Sequence, residues 1–317
     1  MSANNYNIPL LFHIGYHKTA TTWFQKKYFP KNPNIKLVSQ KACHKYFVQK
    51  RSFYFSPNKT YFNIKKEILS NLENEKIIVF SDEEFSGNIH SGGNGGFVSK
   101  EIADRIHNTF ENKNNVKIMI VIRNQPSMIE SCYRQYIKVG GTKKISKYLF
   151  PPREDHRRPM FSFDHFKYYD LIKYYKEKFG SENVKVFLFE KFLQNKLEFI
   201  KKMEKALDIP AFEINYEDNS KKNVGMTKSL LFFNRLVNKF SIKSSLNYEI
   251  SINIPKLSKL VYLLSNKFLD VYNPQKSSLL NLETKNYICE YFKEDNKKIS
   301  EITDHSIETL KKYNYPV

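Results

Sequence analysis

Cysteine is scarce in this 317-residue chain: three residues, Cys43, Cys132 and Cys289, odd in number and far apart. That argues against a disulfide framework and for a reducing compartment. The eight histidines are scattered, with no pair at ligand spacing beside a cysteine or carboxylate, so no structural metal is expected. Long apolar runs are missing too. The longest, such as Ile118 to Ile122, fall far short of the roughly 20 residues a membrane helix needs. No basic leader precedes the first apolar run, so that run does not read as a secretion signal, and the expectation is a soluble, cytoplasmic protein. Neither G-x-x-x-x-G-K-[ST] nor G-x-G-x-x-G occurs at the first strand–loop–helix. Acidic residues are in deficit, 32 against 52 lysines and arginines, for a net charge of +20.

What is present is enough apolar material for a large core, with 41% hydrophobic and 15% aromatic residues. The basic surface has two readings. Lysine accompanied by abundant asparagine and isoleucine suits an A/T-rich genome, and a basic surface also draws polyanions such as nucleotides, acidic glycans, lipid headgroups or nucleic acid.

Ile8 to Ile14 reads as a buried parallel strand, with a helix from about Ala20 to Tyr28 stopping before Pro30. Further strands are expected at Ile35 to Val38, Lys76 to Phe80, Val116 to Ile122 and Val184 to Phe189. Helical spacing occurs at Ile64, Ile68 and Leu72, over Val98 to Phe110, to about Val139 before Gly140–Gly141, and over Phe163 to Phe179. Beyond Glu190 the pattern turns helical at about 192–206, 226–239, 256–270 and 281–300. Strand, loop and helix in repetition predict an α/β fold, a central parallel sheet flanked by helices. One domain is expected, residues 1–210 forming a nucleotide-binding core and 211–317 a mainly helical portion packed on it.

The segment "GYHKTATTW", Gly15 to Trp23, carries chemistry. A polar loop feeding a helix start is an anion site, because unpaired N–H groups and the positive dipole end meet there. Lys18 adds a charge, Thr21 and Thr22 add hydroxyls. Aligning Lys18–Thr19 with the nucleotide-hydrolase loop would need glycines where Phe12 and His17 stand. This counts against an ATP-dependent kinase, which remains an alternative reading. A basic nucleic-acid-binding protein is the other, unsupported by any recognition helix, RNA-binding strand signature or zinc spacing.

The same segment resembles the 5′-phosphosulfate loop of sulfotransferases that use 3′-phosphoadenosine 5′-phosphosulfate (PAPS), commonly Lys, a small residue, Gly, Thr, Thr. A second family signature, a strand ending in Arg and a helix with Ser eight residues on, is matched by "IMIVIRNQPSMIESCYRQYIKVGG" with Arg123 and Ser131. "VKVFLFEKF" and "EYFKEDNKKISE" resemble the later strand-plus-Glu segment and closing helix, particularly of bacterial carbohydrate sulfotransferases. No nucleic-acid partner is expected, because no nucleic-acid-binding signature appears. The resemblance implies PAPS as donor and no metal. Its donor-binding set is Gly15, Lys18, Thr19, Ala20, Thr21, Thr22 and Trp23, with Arg123 and Ser131 on the 3′-phosphate and Lys222 and Asn223 beside it. The acceptor it implies is a carbohydrate or glycolipid, anionic if the basic stretch Arg153, His156, Arg157, Arg158 greets it. A peripheral membrane contact stays open, as does the oligomeric state. Ala20 departs from the usual glycine, and the expectation is that it is the first helical residue, where alanine is harmless.

For a base the sequence offers "SDEEFSG", acids just past a strand end on the cofactor edge. Glu83 is the candidate general base, Glu84 the next, with His17 and His90 behind them. Lys18 is the candidate for neutralising the leaving oxygen. Five of the ten glycines fall between Gly87 and Gly96, reading either as a gate beside the acceptor or as a surface insertion.

Overall fold

The computed structural model describes residues 8–90, 99–111, 115–151, 161–212, 226–242, 253–254 and 278–317. Five parallel strands, β1 (Leu10–Gly15), β2 (Ile35–Val38), β3 (Ile77–Asp82), β4 (Val116–Ile122) and β5 (Val184–Leu188), pair in the order β2-β3-β1-β4-β5. β1 is central because the chain winds one way through β2 and β3 and then the other way through β4 and β5. That reversal opens a crevice outside the carboxyl ends of β1 and its neighbours, where ligands of open α/β sheets bind.

Period-two alternation explains why these strands are apolar throughout. Phe12 and Ile14 of β1, Phe80 of β3 and Ile118, Ile120 and Ile122 of β4 enter the larger core. Leu11, Val79, Met119 and Val121 enter a second core on the opposite face. The register places Phe12 opposite Phe80, and their rings stack at 4.6 Å.

The helices cover both faces. They are α1 (Thr21–Trp23), α2 (Gln40–Cys43), α3 (Pro57–Glu67), α4 (Ser99–Phe110), α5 (Gln125–Lys138), α6 (Ile145–Leu149), α7 (Tyr168–Phe179), α8 (Phe189–Gln194), α9 (Lys196–Leu207), α10 (Lys228–Val237), α11 (Leu282–Ile302) and α12 (Ile307–Lys312). From the C-terminal portion, α11 packs on α5 and α7, and α10 packs on α5. The helix expected at 256–270 lies outside the described residues.

Three local expectations need correction. The first helix does not run as one α-helix to Tyr28: after Trp23 the backbone becomes π-helical over Phe24–Tyr28 and then a 3₁₀ turn over Phe29–Lys31. The widened turn still buries Phe24 and Tyr28, and Pro30 sits within the 3₁₀ turn. The helix marked by Ile64 ends at Glu67, and its residues Leu69–Asn71 form a separate 3₁₀ turn. β3 runs two residues past Phe80, taking Ser81 and Asp82 into the sheet. There Ser81 Oγ meets His13 Nδ1 at 2.8 Å.

Candidate functional site

Each strand of the central trio ends in a loop at the same edge, and the chemistry-bearing residues collect there. After β1, the loop carbonyls are already engaged: Ser86 Oγ donates to Gly15 O (3.2 Å), Thr19 Oγ1 to Tyr16 O (2.5 Å) and Arg123 Nη1 to Lys18 O (3.1 Å). Oxygens that would repel an anion are thereby occupied. Gly15 is required by close packing, since a Cβ there would overlap Thr21 Oγ1. That hydroxyl is buried without a hydrogen-bond partner, an orphan that an incoming acceptor group would satisfy.

Ala20 contradicts the expectation of a helical alanine. It is the residue preceding α1, at φ 68°, ψ 15° in the left-handed region, and Lys18 also has φ 68°. The turn after β1 thus holds two non-glycine residues in the left-handed region, and alanine tolerates that only at a cost. Replacing Ala20 by glycine is therefore expected to stabilise the fold. Relief of roughly 1–2 kcal/mol of left-handed strain exceeds the roughly 0.4–1 kcal/mol lost to a freer unfolded chain. A higher urea midpoint at unchanged slope would register it.

Arg123 is the first residue after β4. Its Nε donates to Ser127 Oγ at 2.9 Å, its guanidinium lies 4.9 Å from the centre of the Phe189 ring, and Tyr168 OH donates to its carbonyl at 2.8 Å. Desolvation lowers its pKa against the opposing pull of Glu190. Lys18 reaches the open mouth of the site and its Nζ lies 3.4 Å from Gln135 Oε1. Protein crowds it from the floor, and that desolvation, with Lys138 and Arg123 nearby and Cys132 and Glu83 opposing, lowers its pKa. The Arg123 guanidinium thus reaches the backbone of the Lys18 loop, 105 residues away in sequence. Ser131 is half-buried on α5 between Ser127 and Gln135.

Thr22 is exposed at the start of α1. Trp23 packs edge-on against Phe192 at 5.0 Å and Phe24 at 5.3 Å, with the Lys196 ammonium 5.2 Å over its ring. Lys222, Asn223, the basic stretch at 153–158 and the glycines at 92–96 lie outside the described residues.

After β3, only Glu83 and Glu84 stand beyond the strand. Asp82 is fully buried; its Oδ1 accepts from Glu84 N at 2.8 Å, and its Oδ2 lies 3.0 Å from His44 Nε2, in ion-pair range without hydrogen-bond alignment. It thus fixes the 3₁₀ turn Glu83–Phe85. Glu83 Oε2 is buried and unpartnered. Burial raises the Glu83 pKa, with Glu84 adding and Lys18 opposing. Glu84 Oε1 accepts from Asn88 Nδ2 at 3.4 Å.

His17 and His90 crowd the same mouth, as does His165, whose ring lies 5.4 Å from that of Tyr16. Burial first, then its neighbours His165, His90 and Lys18, pushes the His17 pKa down to about 3. Desolvation takes His90 and His165 to about 4. All three are neutral near pH 7. Among the described residues, no group of three or more His, Cys, Asp or Glu side chains is placed to hold a metal ion.

These buried histidines make the fold acid-labile. Desolvation depresses His13 to about 3 and His305 to about 4 as well. Below an unfolded value of about 6.5, the unfolded chain binds protons the native state refuses, so stability falls as pH falls. Asp82 and Asp295, raised to about 6 by desolvation, and Glu83 and Glu190, which desolvation also raises, act in the opposite direction. The five histidines, with the larger displacements, outweigh these four carboxyls. The urea midpoint is expected to be lower at pH 5 than at pH 7.5.

Several supporting residues carried no signal of their own in the sequence. Ser127 and Gln135 are ordinary polar helix residues that become partners of Arg123 and Lys18. Glu190, noticed only through its segment, accepts from Asn124 N (3.0 Å) and Nδ2 (2.8 Å) through one oxygen and from Tyr315 OH (3.0 Å) through the other. The strand end bearing Arg123 is thereby tied to the last residues of the chain.

No family model and no curated protein sequence matches the chain. Among solved structures, a sulfotransferase from Alicyclobacillus acidocaldarius superimposes with a TM-score of 0.51 at 17% identity. The match covers 78% of this chain and 97% of that one. The two share a fold. The mouse sulfotransferase SULT7A1 complexed with PAP aligns over 97% of this chain and 89% of its own, at 14% identity and a TM-score of 0.44. The shared fold is that of an α/β sheet with helices on both faces, and its crevice is where Lys18 and Arg123 meet.

Proposed function

We propose that the protein is a sulfotransferase, moving the sulfuryl group of PAPS to a hydroxyl of a carbohydrate or glycolipid. The observation that carries this reading is the meeting of Lys18, Arg123 and Glu83 at one sheet edge, with Arg123 donating to Lys18 O and both Arg123 and Glu83 within the electrostatic reach of Lys18. The fold shared with a bacterial sulfotransferase and the likeness of the two loop motifs support it.

The residues present suit such a donor. Lys18, the buried unpartnered Thr21 hydroxyl and the exposed Thr22, with the backbone of Gly15, Thr19 and Ala20, form a cradle for the 5′ end. Arg123, steadied by Ser127, offers a planar fork to the 3′-phosphate, with Ser131 one turn further along α5. Trp23 flanks the loop, and Lys222 and Asn223 would complete the phosphate contacts.

PAPS supplies an electrophilic sulfur and a phosphate leaving group. Glu83 takes the proton of the acceptor hydroxyl as that oxygen bonds to sulfur. The bond from sulfur to the phosphate oxygen breaks, its electron pair stays on that oxygen, and the Lys18 ammonium neutralises the charge. Adenosine 3′,5′-bisphosphate and a sulfate ester result. Glu84 and His17 border the same space; His17, neutral and unpartnered at Nε2, is suited to orient the acceptor.

A thermal-shift titration tests the reading. Adenosine 3′,5′-bisphosphate should stabilise the protein in EDTA, and more than ATP with Mg²⁺ does; equal or greater stabilisation by ATP with Mg²⁺ would sink it.

A further inference from the structure

Next to the site, a cavity of about 660 Å³ begins at Tyr16 and Ser86 and runs outward along α7 to Glu177. Its size is that of a ligand pocket. Ser86 at its inner end holds the carbonyl of Gly15, so the cavity starts at the loop that bears Lys18. The lining on the α7 side extends from Lys167 to Glu177, a helical distance of roughly 15 Å.

The lining distinguishes among acceptors. Among the described residues, three lysines, Lys100, Lys167 and Lys173, stand against three acids, Asp164, Asp170 and Glu177. The described lining is therefore balanced in charge, although the whole chain carries +20. Two of the lysines have acid partners, Lys167 with Asp164 at 2.9 Å and Lys173 with Glu177 at 3.8 Å. Such a wall gives a polyanion no net attraction. A purely apolar acceptor would leave serines, carboxylates and ammonium groups desolvated without partners. A ligand with hydroxyls along its length meets both donors and acceptors.

We infer that this groove is the acceptor site and that it takes an uncharged oligosaccharide, laid along α7 with the reacting hydroxyl at the Tyr16–Ser86 end. The inference rests on the proposed sulfuryl transfer for the meaning of "acceptor". It turns away from the anionic acceptor that the basic stretch at 153–158 suggested.

The test is an array of neutral and acidic oligosaccharides probed with the full chain at physiological salt, in the presence of adenosine 3′,5′-bisphosphate. The wild type should be retained on neutral features. Asp170→Ala, which removes an exposed hydrogen-bond acceptor from the lining, should lower that retention up to about tenfold while its melting temperature stays level. Ser162→Trp, which fills the groove, should abolish retention and keep the bisphosphate thermal shift. Retention only on acidic features, no retention at all, or neutral retention unchanged in both variants would overturn the inference. The bisphosphate shift, read in parallel, separates the two failures. If it is present and the array fails, only the groove falls. If it is absent, the donor reading falls whatever the array shows.

Discussion

Exchanging Glu83 for glutamine is expected to leave adenosine 3′,5′-bisphosphate binding intact and to slow sulfuryl transfer by about 10²–10⁴-fold. Glutamine matches the volume and keeps the 3₁₀ turn, which is fixed by the Asp82 cap on Glu84 N rather than by Glu83. What it cannot do is accept a proton. The carboxylate is poised for that role by burial, which raises its pKa above the ordinary glutamate value, and by Lys18, which limits the rise. The active form is the ionised one, so turnover should fall as pH is lowered through that raised pKa. In the glutamine variant this acid limb should vanish along with the activity. Near-full turnover in Glu83→Gln would remove Glu83 from the mechanism.

Arg123→Ala should weaken bisphosphate binding by about 10- to 100-fold, the loss of one charged, partly buried hydrogen-bonding partner. The effect has a second source. Arg123 Nη1 donates to Lys18 O, so its removal frees a left-handed residue of the loop as well as the fork itself. Arg123→Lys keeps the charge without the two-pronged geometry and should fall between wild type and alanine. Calorimetric titration of the three proteins orders them. The α5 start should survive, because Asn124 caps it through Ser127 N.

The sheet was legible because its strands are short, apolar and set off by turns. β2 and β4 end where their patterns end, and β3 differs because Ser81 and Asp82 are polar residues that the sheet buries by pairing them with His13 and His44. Such pairs join residues 68 and 38 positions apart and leave no periodic trace. The Lys18 loop and Arg123 were legible as motifs, yet the carbonyl that links them, and the positive φ of Ala20, were not. Alanine in a helix-forming context reads as helix, and nothing in the letter itself marks the left-handed turn found there. The tie from Asn124 through Glu190 to Tyr315 spans three distant segments, and only the fold brings them together. The groove along α7 had no sequence signature, since its lining alternates among residues that a helix surface would carry anyway.

The central claim is a grip on both anionic ends of one nucleotide, Lys18 at the 5′ end and Arg123 at the 3′-phosphate. The most direct measurement compares adenosine 3′,5′-bisphosphate with adenosine 5′-monophosphate by isothermal titration calorimetry, in wild type and Arg123→Ala. The wild type should bind the bisphosphate at least tenfold more tightly, and Arg123→Ala should erase most of that preference. Equal affinity of the wild type for the two nucleotides, or a preference that survives in Arg123→Ala, would contradict the account.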